Sequence, residues 1–270
     1  MTAAAQSLQL LSWNVAGRTK LLGDQIAAVR RREPDIVCLQ EIRASTVGPW
    51  SEALAEDGLT EALDSSTFAG GRRLFNLTAT RWPIDELAPI GAPQPERVLA
   101  TRIDSPFGLI ELYNAHIPPA PSNGLIKAET CEALIAQLAR PSIPGRHRIL
   151  CGDLNTPRRE TVNGEVETFA SNHPGNEERW DAAERGLLVG LRDWGLSDVF
   201  RQLNGYDRDD VSWVMHTRAR RKAAHRLDHV IASAGLRPIA CDYEHGWREA
   251  GLSDHSAIEA RFEPPAAGAA

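Results

Sequence analysis

Closely spaced cysteines are missing from this chain. Its four cysteines, Cys38, Cys131, Cys151 and Cys241, each stand alone inside an apolar run. A structural zinc site or a redox pair usually places two cysteines a few residues apart, so the sequence argues against both kinds of site. We predict that all four thiols are reduced and buried in the core.

Long apolar runs are also missing. No stretch is long and apolar enough to cross a bilayer, and the first residues lack the basic and apolar segments of a signal peptide. We therefore expect no membrane partner and a cytoplasmic location. The chain also has no GxSxG pentapeptide, which disfavours a serine hydrolase built on that turn.

A surplus of positive charge is the third absence. The formal net charge is −6 at pH 7, which disfavours a protein that coats nucleic acid by neutralising many phosphates. A nuclease is not excluded, because the carboxylates of a metal site themselves contribute negative charge. Arginine is locally dense in three places, at Arg30 to Arg32, at Arg158 and Arg159, and from Arg218 to Arg226.

The apolar runs alternate between strand-like and helix-like spacing, which is typical of a layered α/β fold. Helices are predicted over residues 20–32 and 123–140 and around Leu187 to Trp194. Strands are predicted over residues 8–13, 35–40, 73–80, 97–103, 109–115, 148–152, 227–232, 236–243 and 255–262. We expect one domain over residues 1–263 and a disordered tail over 264–270.

Several of these apolar runs end at a polar or ionisable residue. Asn14, Glu41, His116 and Asp153 directly follow such runs, and Asn155 stands two positions further on. In the opposite arrangement, Asp254 and His255 precede a predicted strand. A single carboxylate after a strand is usually a helix cap or a solvated turn. The repetition favours a shared site at one edge of the sheets.

Carboxylates, amides and a histidine form the ligand set of a hard cation such as Mg²⁺ or Mn²⁺. Such a site suits phosphate ester cleavage, because the cation neutralises developing charge while a carboxylate or histidine activates water. Asp228 could supply the acid that orients His255.

Five short blocks, WNVAG, LQE, GDLN, RLD and SDH, occur in this order between about residues 8 and 262. Together they resemble the signature blocks of the endonuclease/exonuclease/phosphatase superfamily. The resemblance implies a four-layer α/β sandwich, in which two mixed β-sheets pack together and helices cover the outer faces. It also implies a divalent-metal-dependent phosphoesterase.

The resemblance assigns roles residue by residue. Glu41 of LQE corresponds to the metal-binding glutamate of the family. Asp254 of SDH corresponds to an aspartate that acts either at the metal or on the leaving group. Asn14 of WNVAG corresponds to an asparagine that hydrogen-bonds within the same centre. We therefore predict Glu41, Asp254 and Asn14 at the metal.

The catalytic group implied by the resemblance includes Asp153 and Asn155 of GDLN, which place or activate water and stabilise the transition state. Asp228 of RLD corresponds to the aspartate that pairs with the catalytic histidine, here His255 of SDH. Asn14 and His116 complete the predicted catalytic group. Whether the histidine or the aspartate is the general base stays open.

The segment ERGLLVGLRDWGLSDVFRQLN and the later HRLDHVIAS are most similar to the exonuclease III and abasic-site endonuclease branch. Two positions depart from it. Ala16 stands where the repair enzymes carry an acidic or amide residue, and His116 stands where they carry a tyrosine. A histidine there is more similar to the deoxyribonuclease and phosphatase branches.

Three residues are predicted to bind substrate. Trp213 could stack on a sugar or base, and Arg226 and Arg158 could contact phosphates, as could the basic run from Arg218 to Lys222.

The first functional interpretation is a monomeric nuclease acting on DNA. The alternative is a phosphatase or phosphodiesterase for a small-molecule or lipid phosphate ester, which the negative net charge and His116 favour. A binding protein without activity is disfavoured because every block is intact.

Overall fold

The computed structural model describes residues 7–68, 70–71, 73–119, 124–217 and 220–263, except the side chains of residues 216–217 and 220–222. The predicted tail at 264–270 and Arg218 of the basic run lie outside these residues. Within the described ranges, no helix has the length and apolarity needed to span a membrane.

Strands and helices alternate along the chain. In chain order they are β1 (Leu8–Asn14), α1 (Leu22–Arg30), β2 (Ile36–Ile42), α2 (Ala44–Glu56), β3 (Glu61–Asp64), β4 (Phe75–Thr80), β5 (Ile84–Glu86), β6 (Val98–Ser105), β7 (Gly108–His116), α3 (Ile126–Leu138), β8 (Arg146–Asp153), β9 (Arg159–Glu160), β10 (Val166–Glu167), α4 (Glu177–Leu188), β11 (Leu196–Asp198), α5 (Val199–Asn204), β12 (Trp213–Thr217), β13 (Arg220–His225), β14 (Asp228–Ser233), β15 (Pro238–Glu244), α6 (His245–Glu249) and β16 (Ala257–Phe262). Short 3₁₀ helices occupy Ser66–Phe68, Pro95–Arg97, Ala170–Asn172 and Gly190–Trp194.

Two six-stranded mixed sheets form the body of the fold. The first sheet has the order β15-β16-β1-β2-β4-β3, and the second has the order β11-β14-β8-β7-β6-β5. Each sheet contains one parallel pair, β1 with β2 and β7 with β8, and its other neighbours are antiparallel. Two separate two-stranded ribbons pair β9 with β10 and β12 with β13.

Three apolar cores separate four layers. The alternate side chains of both sheets meet in the central core, where Leu10, Cys38, Leu112 and Cys151 are fully buried. A second core lies between the first sheet and helices α1 and α2, and a third lies between the second sheet and helices α3 and α4. Complete burial of each large apolar side chain stabilises the fold by roughly 1.5–3 kcal/mol. The predicted four-layer sandwich is confirmed.

The cysteine prediction is also confirmed, since all four thiols are free and buried. Several elements were not predicted, helix α2 and strand β13 among them. Helix α2 contains Gly48 and Pro49, both poor helix formers, and the burial of Trp50 and Leu54 against the first sheet outweighs that cost. Strand β13 covers the second half of the basic run, and the predicted contact of that run with phosphates stays a prediction.

Strand register brings the ends of both sheets to one edge. Asn14 at the end of β1 is paired with Gln40, the neighbour of Glu41. In the second sheet, Asp153 is paired with His116 on one side and with Asp228 on the other. The blocks that lie far apart in the sequence therefore meet where the two sheets face each other.

Candidate active site

Asn14 joins the two sheets at this edge. Its Nδ2 donates to Asp153 Oδ2 over 3.0 Å and faces Glu41 Oε1 at 3.3 Å, while its Oδ1 accepts a hydrogen bond from the Ala16 amide. Ser253 Oγ donates to the Asn14 carbonyl over 2.6 Å and so ties the SDH block to the same strand end. The amide nitrogen faces both carboxylates, as a hydrogen-bond donor does, and the predicted role of Asn14 at the metal stays a prediction. This orientation supports the hydrogen-bonding role.

His255 and Asp228 form a buried pair. His255 Nδ1 lies 2.8 Å from Asp228 Oδ2, and Nε2 lies 3.7 Å from Asp153 Oδ2. Burial disfavours the charged imidazolium, but the carboxylates of Asp228 and Asp153 outweigh burial and raise the pKa of His255 to about 10. At neutral pH the ring is therefore cationic, with Nε2–H directed towards Asp153.

The pKa of Asp153 is also raised, and here burial is the main cause. Burial disfavours its charged form, His255 partly offsets that cost, and the nearby carboxylates of Asp228 and Glu41 add to it. The net result raises the pKa of Asp153 to about 7. A carboxylate with a pKa near the working pH is suited to accept a proton from water.

His116 faces the same carboxylates from β7. Its Nε2 lies 3.4 Å from Glu41 Oε1 and 3.7 Å from Asp153 Oδ2. Arg97, which directly precedes β6, places Nη1 3.0 Å from His116 Nδ1. Burial, followed by the positive charges of Arg97 and His255, lowers the pKa of His116 well below 6.5. One histidine of the site is therefore neutral and the other is cationic.

Backbone strain is concentrated here. Among the described residues, the non-glycine residues with positive φ are Ala16, Glu33, Glu41 and Asn155, and three of them belong to the site. The pairing of β2 with β4 shifts register between Leu39 and Ile42, so a bulge re-aims Glu41 away from the regular strand. Each such residue costs on the order of 1–3 kcal/mol and persists only where its surroundings enforce it.

A buried ion pair supports the strained Asn155. Lys127 Nζ donates to the Asn155 carbonyl over 2.8 Å and lies 2.6 Å from Glu184 Oε1, and both charged side chains are fully buried. Asn155 Nδ2 donates to the Ile117 carbonyl over 2.8 Å, and its amide nitrogen donates to Asp153 Oδ1 over 3.0 Å. These bonds fix the loop that follows GDLN.

The glycine of GDLN, Gly152, is required by the close approach of strand β8 to strand β7. Its φ is +125°, and a Cβ there would lie 2.0 Å from the Ala115 carbonyl oxygen. Only glycine lets β8 approach β7 this closely. The close approach brings Asp153 beside His116.

The donor set fits a divalent cation. Asp153, Asp228 and His255 form a group whose candidate ligand atoms all lie within 4.8 Å of one another, and Asp228 Oδ1 is buried without a hydrogen-bond partner among the described residues. A protonated imidazole has no lone pair for a metal, so the His255 side is the less suitable one. Glu41, whose side chain keeps a quarter of its surface exposed, is the accessible carboxylate beside Asp153.

Asp254 lies at the rim. It is exposed, and its Oδ2 accepts a hydrogen bond from Trp213 Nε1 over 3.2 Å. Trp213 is half-buried, stacks on His225 with ring centroids 6.0 Å apart, and lies 6.4 Å from the ring of His255. The predicted stacking role of Trp213 stays a prediction, and its position next to His255 is compatible with it.

Arg226 has partners inside the protein. Its buried guanidinium is paired with Glu160 at 2.7 Å and with Asp198 at 2.9 Å, so it stabilises the fold beneath RLD, and the predicted contact of Arg226 with a phosphate stays a prediction. Arg158 is exposed and borders an open cavity of about 560 Å³ that His225 also lines. A phosphate contact by Arg158 stays a prediction.

Some site residues escaped the sequence analysis. Arg97 and Lys127 are single basic residues with no motif around them, and only the tertiary structure brings them to His116 and Asn155. Asn114 is buried under the site and bonds Gln40 over 2.8 Å. Its alternation with Leu112 and His116 in β7 is a signal that could have revealed it.

The fold and the site together define a class. Two packed mixed sheets carry carboxylates, amides and an aspartate-paired histidine at one edge. These groups are typical of a phosphoesterase that hydrolyses its substrate with the help of a divalent metal. Residues 11–255 match the sequence profile of the Endonuclease/Exonuclease/phosphatase family. The chain belongs to this family.

Among curated relatives, the chain is 26% identical over 258 residues to the DNA repair nuclease APEX1 of Danio rerio, covering 88% of this chain and 77% of the relative. It is 23% identical over 283 residues to exodeoxyribonuclease III of Haemophilus influenzae, covering 95% of this chain and 100% of the relative. An AP endonuclease structure from Archaeoglobus fulgidus superposes with a TM-score of 0.71 at 19% identity, covering 94% of this chain and 99% of that one. The structural likeness establishes the fold.

Proposed function

We propose that this enzyme hydrolyses phosphodiester bonds in DNA with Mg²⁺ or Mn²⁺ as cofactor. One observation carries the proposal: Asp153 Oδ2 lies 3.0 Å from Asn14 Nδ2 and 3.7 Å from His255 Nε2. A buried carboxylate held between an amide donor and a cationic ring can place a water molecule against a phosphorus atom.

Asp153 is the general base in this proposal. Its pKa of about 7 leaves a large share of the carboxylate ionised at neutral pH, while the same value makes it basic enough to take a proton from water. Asn14 fixes the orientation of the carboxylate, so one oxygen remains directed at the space in front of His255.

His255 supplies positive charge to the transition state. With Asp228 bonded to Nδ1, the remaining N–H at Nε2 points towards the place where negative charge develops on a phosphoryl oxygen. Asn155 contributes a second polar group from the loop that Lys127 anchors. Because His255 is already protonated, it is poorly suited to be the base.

Glu41 would hold the cation beside Asp153, with Asp254 as a further carboxylate at the rim. When bound, the ion would supply Lewis-acid stabilisation of the phosphate oxygens. Oxygen donors without cysteine favour Mg²⁺ or Mn²⁺ over softer ions.

DNA as the substrate is supported by the names of the curated relatives, a DNA repair nuclease and an exodeoxyribonuclease. Trp213 beside His255, together with Arg158 nearby, could accommodate a nucleotide. The second candidate is a small-molecule or lipid phosphate ester. It is favoured by His116, which replaces the tyrosine expected in the repair branch, and by the net charge of −6.

The deciding experiment is a substrate panel of abasic duplex, nicked duplex, single-stranded DNA, RNA and simple phosphodiesters, each with Mg²⁺ and with Mn²⁺. Asp153→Asn, purified in parallel, is the control for contaminating nucleases. We expect metal-dependent cleavage of DNA whose KM rises steeply with salt, because a polyanion releases counterions on binding. Turnover of a simple ester without any DNA cleavage would favour the second candidate. A monomeric state and a cytoplasmic location stay predictions.

A further inference from the structure

Arg97 and His116 are in contact, although neither residue belongs to the five sequence blocks that resemble the family. Arg97 ends the 3₁₀ helix Pro95–Arg97, and its side chain crosses to the end of the neighbouring strand β7. Nη1 lies 3.0 Å from His116 Nδ1, 3.1 Å from Nε2 and 3.4 Å from the His116 carbonyl oxygen. The guanidinium is therefore held against both the ring and the backbone of a residue that faces the catalytic carboxylates.

The two ring nitrogens of His116 have different surroundings. Nε2 faces Glu41 Oε1 at 3.4 Å and Asp153 Oδ2 at 3.7 Å. An ionised carboxylate can accept a hydrogen bond but cannot donate one. Arg97 can only donate, so it requires a ring nitrogen with a free lone pair. The distances from Arg97 Nη1 to the two ring nitrogens are too similar to show which nitrogen accepts its hydrogen bond. The carboxylates favour the tautomer with the hydrogen on Nε2, because that nitrogen faces them. Nδ1 then accepts the hydrogen bond from Arg97.

We propose that Arg97 is a positioning residue, which holds His116 in the Nε2–H tautomer and directs that N–H towards the reacting phosphate. This inference rests on the proposed phosphoesterase site but does not require DNA as substrate. A tyrosine in place of His116 would present a hydroxyl hydrogen without choosing a tautomer, whereas a histidine needs a partner to fix one. Arg97 is that partner in this chain.

The arrangement at His255 is the reverse. There a carboxylate, Asp228, contacts Nδ1 over 2.8 Å, so Nδ1 carries hydrogen and donates. At His116 a guanidinium contacts Nδ1, so Nδ1 accepts. At His116 the partner leaves the single hydrogen of a neutral ring on Nε2, whereas at His255 the ring is cationic and carries a hydrogen on both nitrogens.

A structural role for Arg97 makes a different prediction from a positioning role. The Arg97 carbonyl accepts a hydrogen bond from Asn76 Nδ2 over 2.8 Å, and this backbone contact survives any side-chain substitution. If the side chain served only the fold, its removal would lower stability in every background. If it orients His116, its removal matters only while residue 116 is a histidine.

The test is a double-mutant cycle of Arg97→Met and His116→Tyr, with kcat and KM measured on bis(p-nitrophenyl) phosphate and on a DNA duplex. In the wild-type background, Arg97→Met is expected to lower kcat by about 10-fold to 100-fold, in the range for one mispositioned transition-state donor. In the His116→Tyr background the same substitution is expected to change kcat by less than about 3-fold, since coupled residues are non-additive. Arg97→Lys, which keeps a donor and the charge, should retain most of the activity.

Arg102→Met is the matched control, because Arg102 lies on β6 and forms an exposed ion pair with Asp85. It should leave kcat unchanged. An equal loss from Arg97→Met in both backgrounds would overturn the positioning role. If the enzyme cleaves the simple ester but no DNA, the DNA proposal fails while the cycle on the ester still decides the role of Arg97.

A second readout requires no turnover. In protein labelled with ¹⁵N-histidine, the two ring nitrogens of His116 should report a protonated Nε2 and an unprotonated Nδ1, with His116→Gln identifying the signal among the eight histidines. Arg97→Met should give a mixture of tautomers at position 116 while the His255 signals remain those of an imidazolium. An unchanged His116 spectrum in Arg97→Met would refute the proposal.

Discussion

Asp228 Oδ2 lies 2.8 Å from His255 Nδ1 at the centre of the edge where the two sheets meet. Asp228 begins β14, and strand pairing sets it opposite Asp153. The same carboxylate that holds the ring also raises its pKa. A site with a cationic His255 and an Asp153 of pKa about 7 divides acid and base between neighbouring groups.

The pH profile follows from these two groups. In the proposed mechanism Asp153 is ionised and His255 is protonated, so kcat should rise as pH passes about 7 and fall as pH passes about 10. Asp228→Asn removes a carboxylate that raises the pKa of His255, while burial continues to lower it. The alkaline limb should therefore move down by on the order of one pH unit or more.

Steady-state kinetics at saturating metal would measure this shift. Asp242→Asn is the control, because Asp242 is exposed and ion-paired with Arg208 away from the site. Its profile should match that of the wild type. An Asp228→Asn enzyme that keeps activity and an unchanged alkaline limb would show that His255 does not act as the cation.

Metal dependence is the second prediction. Excess chelator should abolish activity, and added Mg²⁺ or Mn²⁺ should restore it. Glu41→Gln should raise the metal concentration for half-maximal activity by about 10-fold or more, since even outer partners of a metal site contribute that much. Direct Mn²⁺ binding by electron paramagnetic resonance should weaken in parallel.

Glu61→Gln, an exposed glutamate on β3, is the matched control and should bind Mn²⁺ as the wild type does. Full turnover in excess chelator would contradict metal dependence altogether. Normal Mn²⁺ binding by Glu41→Gln would move the metal away from Glu41.

Much of the site was predictable because strand ends carry a local signature. Asn14, Glu41, His116 and Asp153 each follow an apolar run, and parallel neighbours such as β7 and β8 must end at the same edge. The layered fold followed from the same alternation together with the five blocks.

What the sequence could not reveal depends on side-chain partners that are distant along the chain. Arg226 belongs to RLD and suggested a phosphate contact, yet Glu160 and Asp198 neutralise it in the interior. The orientation of the Asn14 amide also depends on Asp153, which lies 139 positions away. Neither relationship has a local pattern.

The third prediction concerns the buried pair under Asn155. Lys127→Met leaves Glu184 charged and buried without its partner, and breaking such a pair costs about 3–5 kcal/mol in the free energy of unfolding. Combining Lys127→Met with Glu184→Gln removes both charges and should lose less. Urea denaturation would measure both, with the exposed Lys20→Met as control.

The same substitution should also affect turnover. Lys127→Met removes the bond to the Asn155 carbonyl, so kcat should fall below wild type in molecules that remain folded, with KM changed less. Equal unfolding free energies for Lys127→Met and Lys20→Met would show that the pair contributes nothing to the fold.

The last prediction separates the ring of His116 from its bulk. His116 ends β7 with its side chain almost fully buried and Nε2 3.4 Å from Glu41, so it can donate one hydrogen bond to a phosphate oxygen. His116→Ala should lower kcat on DNA by about 10-fold to 10³-fold, the range for losing one transition-state donor. His116→Tyr restores a donor in the same place and should retain more activity than the alanine variant. His147→Ala is the control, because His147 lies on the same second sheet at the opposite end of β8 from Asp153. Equal rates for wild type and His116→Ala on every DNA substrate would remove His116 from the reaction, since a donor that contacts the phosphate cannot be lost without cost.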